Sequence, residues 1–239
     1  YIIAIVFIAM MAEVAEITHE KEIIFPEVAA LALGLIVLKK TPWQVSRLML
    51  VVLMTICSLF GVLVVRYSPF LLIFNIAISF IFTSSCLYFS KTTIIPITSA
   101  SMLPIILNTT SFLYPISVCI LSILISIIQY FMERLSLREP TRRNPNKNKY
   151  NFSTRRWAMM LIALIFIAFI PANKHYLYMI VPPMVVMFIE FSTSSSGFRN
   201  RPLQVYVIVV VSAVLGSLFQ YIHNKTGLSL FYTECLLFV

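Results

Sequence analysis

Charge is what this chain has least of. Asp, Glu, Lys and Arg make up only 11% of the 239 residues, where a water-soluble domain keeps about a quarter. With 60% of residues hydrophobic and a mean hydropathy of +0.94, the polar surface that a soluble fold needs is missing. The four cysteines, Cys57, Cys86, Cys119 and Cys235, form no CxxC pair and no Cys/His cluster. That removes a disulfide framework and a zinc site, and they read as packing residues. No Gly-Lys-Ser/Thr phosphate loop is present, so the chain hydrolyses no nucleotide on its own. No HExxH, GxSxG or deep carboxylate pair with a histidine supports an intramembrane enzyme. The sequence therefore reads as a non-enzyme that calls for no metal and no cofactor. No Lys or Arg lies deep in an apolar run either, so a path for anions would rest on helix starts and hydroxyls.

What is abundant is the long apolar run. Segments recur at about 1–15, 23–38, 44–65, 69–89, 92–107, 112–132, 156–171, 176–191, 203–222 and 227–239. Several reach the roughly 20 residues that span hydrocarbon. Runs such as LIALIFIAFI lack the apolar–polar alternation of a barrel strand. The expected fold is an all-α polytopic membrane protein with ten transmembrane helices in this stretch. RLSLREPTRRNPNKNKYNFSTRR, the one long polar stretch, divides it into a six-span half (1–134), a basic linker (135–155) and a second half (156–239). Counting spans outward from a cytoplasmic linker puts 14 of the 18 Lys and Arg on the linker's side. Lys21, Arg66, Lys174 and Lys225 fall on the other side. This matches the positive-inside rule and places Tyr1, Val239 and the linker on the cytoplasmic face, with a bacterial plasma membrane as the expected home. Topology and attraction to anionic inner-leaflet lipid account for the net charge of +9. No nucleic-acid partner is implied, and a homo-oligomer is compatible with the pattern.

Sliding the chain by 156 residues brings 1–27 onto 157–183 without a gap. Ala12 meets Ala168, His19 meets His175, Ile24 meets Ile180 and Pro26 meets Pro182. Each half has a span, an outer loop with histidine, a short span with proline near its outer end, and a basic inner loop. Each basic loop leads into PWQV (42–45) or PLQV (202–205). An even number of spans before the linker makes this a parallel repeat. By that symmetry two further spans are expected after Val239, giving twelve.

The short spans are where function is expected. Phe25 to Leu38 covers 14 residues, about 21 Å of helix against a hydrocarbon core of about 30 Å. Paired short, proline-interrupted segments in two halves point to a central binding site. Helices beginning at Pro26 and at Pro182–Pro183 would present free N–H groups and a partial positive charge to an anion. KTTIIPITSASMLPIILNTT (91–110) reads as a broken, buried helix lining the path through Pro96, Thr98, Ser99 and Ser101; helix packing through small residues is the plainer alternative. Glu27 is a candidate proton carrier, a cation ligand or a helix-start cap. Asn75 and Gln129 are expected to bond across helices. Ala30-x-x-x-Gly34 and Ser212-x-x-x-Gly216 are expected to serve close packing.

Pro26 opening a short span, a basic loop, a span headed by Arg47 and then KTTIIPITSASMLP together resemble the HPP family of integral membrane proteins. Ile95-Pro96 followed by Ile97, Thr98, Ser99 and Ala100 stands where that family has its signature. Ile94 and Ile95 replace the family's His and first Pro. VPPMVVMFIEF and RNRPLQVYVIVVVSAVLGSL repeat the earlier part of the pattern. The same order of elements also resembles the aromatic-acid exporter group related to fusaric acid resistance. Both resemblances imply transport of a small anion, nitrite-like or a small organic acid. The competing expectation is a non-transporting scaffold subunit that binds a partner through the basic linker.

Overall fold

The computed structural model describes residues 6–7, 10–11, 13–14, 27–38, 41–136, 153–173, 182–193 and 201–226. Among them the chain is helical and contains no strand. The expected segments at 1–15 (in large part) and 227–239, with most of the linker, lie outside the described residues, as do Pro26, His19 and His175. Two compact units are formed, Phe25–Ile189 and Tyr1–Ile24 with Glu190–Val239.

The first unit opens with α1 (Glu27–Ala32), which widens into a π-helical turn over Leu33–Val37. There the Leu38 N–H donates five residues back to the Leu33 carbonyl at 3.0 Å. A Cβ on Gly34 would stand 2.6 Å from the Trp43 ring, so the absence of a side chain is what admits the indole. α2 (Arg47–Tyr67) starts at Ser46, whose backbone is extended and whose Oγ accepts the Met49 N–H. α3 (Leu72–Ser90) ends at Lys91, and α4 (Pro96–Leu107) ends at Asn108, both in the left-handed conformation. α5 (Leu113–Arg134) follows and packs on α2. Arg47, at the head of α2, pairs with Glu133 at the foot of α5 and lies 5.0 Å over the Tyr130 ring. At the other end of the pair Arg66 lies 5.2 Å over Phe112. α2 and α5 are thus antiparallel and pinned at both ends. α6 (Thr154–Asn173) packs on α3, and α7 (Pro182–Thr193) follows.

α2, α3 and α5 contain 21, 19 and 22 residues and are long and apolar enough to cross a membrane. Their lengths correspond to about 32, 29 and 33 Å. Shorter apolar helices cover Glu27–Val37, Pro96–Leu107 and Pro202–Leu218. Polarity is distributed inside out. Leu48, Val52, Ile56 and Leu59 on α2, and Ile116, Ile120, Ile123 and Ile127 on α5, form exposed stripes at helical spacing. Ser58, Ser79, Thr83, Ser84, Ser117 and Ser122 are buried instead. Most of these hydroxyls bond a carbonyl three or four residues back in their own helix, as Ser122 does to Val118 at 2.6 Å and Ser84 to Phe80 at 2.6 Å. Such an arrangement suits lipid, where no water is at hand to satisfy a polar group.

α4 is the enclosed element. Every residue from Pro96 to Ile106 is buried, with α1, α2 and α3 packed against it. It also departs from expectation: instead of breaking, it runs through Pro104 as one helix of 12 residues. Asn75 differs as well, bonding the α2–α3 turn at Ser68 and Phe70, while Gln129 donates to Glu133 on its own helix at 2.8 Å.

The second unit contains α8 (Pro202–Thr226). Gly216, expected to serve close packing, has no atom within 4 Å of its would-be Cβ. Gly61 on α2 is the opposite case, because a Cβ there would run into the Ser101 carbonyl oxygen and stand 2.6 Å from Pro104 Cγ. Gly61→Ala is expected to force α2 from α4 and lose about 1–3 kcal/mol, read as a fall in Tm in detergent. Gly216→Ala, with open space, is expected to lose nothing.

Candidate functional site

The site begins with a proline inside a helix. Pro104 has no N–H, so the carbonyl of Ala100, four residues earlier, loses its intrahelical donor. In a buried segment an orphaned carbonyl must find another partner. Tyr114, two residues into α5 and buried, supplies it: its hydroxyl donates to the Ala100 oxygen at 2.9 Å. This bond lets α4 continue through the proline.

Around that bond the polar side chains divide sharply. Thr98 Oγ1 donates to the Ile95 carbonyl at 2.8 Å. Ser79 Oγ on α3 donates to Ser101 Oγ at 2.7 Å. Both hydroxyls are thereby engaged in structure. Ser99 is fully buried, and its Oγ has no hydrogen-bond partner.

Glu27 is the second such group. It is the first residue of α1, only 3% exposed, and neither carboxylate oxygen meets a hydrogen-bond partner. A helix-start cap accepts N–H groups of the first turn, and Glu27 does not. The neighbourhood comes from α4 and α5, which both pack on α1. The contrast with Glu133 is instructive: that buried carboxylate accepts from Arg47 and from Gln129.

The remaining expected residues stand at helix starts. Pro96 is the first residue of α4 and is buried. Pro182 and Pro183 open α7, Pro182 buried and Pro183 half-buried, and α7 makes no extended packing with α1 or α4. Pro26 lies outside the described residues. Sequence reasoning passed over Tyr114, whose signal was available: a proline four residues after a buried carbonyl calls for a nearby donor. Among the described residues no group of three or more His, Cys, Asp or Glu could hold a metal ion.

No family model, curated protein or solved structure matches this chain, so its chemistry is argued from these residues.

Tyr114→Phe leaves the Ala100 carbonyl without a donor and is expected to cost about 1–3 kcal/mol. Pro104→Ala restores an N–H at position 104, so Tyr114→Phe in that background is expected to cost far less. A double-mutant cycle of unfolding in detergent reads the coupling, and additive losses would refute the account.

Proposed function

We propose that this protein is a transporter or channel for a small anion, nitrite-like or a small organic acid, with Glu27 as the proton carrier beside the path. The observation that carries the reading is the buried carboxylate with no partner. A charge-bearing group enclosed without compensation costs several kcal/mol, and an ionisable residue inside a membrane segment marks a substrate or proton route by default. A purely structural acid would have partners, as Glu133 does. Proton uptake by Glu27 removes the negative charge that would repel an anion, and proton release restores it. Coupling the two movements lets a proton gradient drive the solute. Ser99, buried and unpartnered, offers the solute a hydroxyl, and the neighbouring Thr98, Ser101 and Pro96 shape the wall of α4.

The finer architecture belongs to the same reading. Ten spans in this stretch, and twelve in the intact chain, form two parallel repeats, with Pro26 and the Pro182–Pro183 pair opening matched short helices. The linker and both ends face the cytoplasm of a bacterial cell. Support comes from the 156-residue offset, the loop charges and the resemblance to the HPP family.

Reconstituted protein is to be challenged with nitrite, other small anions and aromatic acids, with and without a pH gradient, beside Glu27→Gln. Flux that follows the gradient in the native protein and loses that dependence in the variant is the expected result. Gln keeps the size of the side chain, and no hydrogen bond of Glu27 is lost. Gradient-driven flux unchanged by the substitution would remove Glu27 from the mechanism, and no flux of any anion would overturn the transport reading.

A further inference from the structure

Away from Glu27, a cavity of about 390 Å³ lies between the last turns of α3 and the first turns of α6. Phe80 and Trp157 make its buried floor, their ring centroids 5.6 Å apart. Tyr88 and Phe89 are exposed at its rim, Phe89 to 80%. The hydroxyls in its wall contribute little polarity, because Ser84 and Ser85 donate to the Phe80 and Ile81 carbonyls of their own helix. The groove is therefore an apolar slot of a size that ligand sites commonly have.

Its mouth is cationic. Arg155 and Arg156 are exposed in the first turn of α6, and Lys91 is exposed where α3 ends. Neither helix carries an acidic residue. The sequence joining α5 to α6 holds one acid, Glu139, beside Arg138, Arg142, Arg143, Lys147 and Lys149, so its own charge is strongly positive. An apolar slot opening beside a cluster of cations, with a Trp and a Tyr at that level, fits one kind of molecule: an acyl chain joined to an anionic headgroup.

We infer that this groove is a binding site for an anionic phospholipid of the leaflet that carries the basic linker. The acyl chain lies along Phe80, Trp157 and Leu161, and the headgroup phosphate meets Arg155 and Lys91. Binding here stands apart from transport and from Glu27.

Trp157 is a built-in reporter, since Trp43 is the other of the two tryptophans. Trp43→Phe protein is to be reconstituted in phosphatidylcholine vesicles with increasing fractions of acyl-brominated phosphatidylglycerol or acyl-brominated phosphatidylcholine. Fluorescence quenching reads contact with the chain, and Trp157→Phe protein, folded to the same circular dichroism, supplies the background. The expected result is quenching by the anionic lipid at a mole fraction lower by about fivefold or more. That preference is expected to vanish in Arg155→Gln/Lys91→Gln and to shrink in high salt without any substitution. Equal quenching by both lipids would mean that bulk lipid fills the groove without headgroup selection, and would overturn the inference. Quenching no deeper than that of an exposed tryptophan analogue would overturn it too.

Discussion

At Ala100 a backbone oxygen has been left without a backbone donor, in a helix enclosed from Pro96 to Ile106. Water cannot repair such a loss inside lipid, so the phenol of Tyr114 does. Much of the surrounding arrangement follows. For the phenol to reach Ala100, the start of α5 must sit beside the middle of α4. For α4 to be enclosed, α2 must approach closely, which Gly61 permits by lacking a side chain against Ser101 and Pro104. The cation–ring and ion-pair contacts at Arg66 and Arg47 then hold α2 and α5 parallel to one another in opposite senses.

Two buried glutamates show what the same side chain does in two settings. Glu133 is held by a guanidinium and an amide, in keeping with the rule that buried charge is paired. Glu27 breaks that rule. Proteins tolerate such breaches where the strain is used, and in the proposed transport function the use is exchange of a proton. The unpaired Ser99 hydroxyl on α4, which packs on α1, is a second breach.

The helical, membrane-compatible character was legible from the runs themselves, because apolar length translates directly into helix length at a fixed rise. The burial of α4 could be read from its hydroxyls and prolines, which lipid would not tolerate on an outward face. Its continuity could not. Whether a proline breaks a helix depends on a donor from elsewhere in the chain, and Tyr114 lies on another helix. Glu27 illustrates the same limit from the other side. Sequence offered cap, ligand and carrier alike, since the choice rests on which atoms surround the carboxylate. The small-residue pairs were equally ambiguous: Gly34 is filled against by Trp43, whereas Gly216 faces open space.

The habit of hydroxyls bonding within their own helix has a mechanical consequence. Serines and threonines that bond their own backbone make no claim on the neighbouring helix, so they lay smooth surfaces along α2, α3 and α5. Between α2 and α5 the charged contacts stand at the ends, at Arg47 and Arg66, and the middle of the pair is held by packing. α4 is the exception, tied by Ser79–Ser101 on one side and by Tyr114–Ala100 on another. The middle of α4 is thereby fixed to α3 and to α5, whereas α2 and α5 are fastened to each other at their ends.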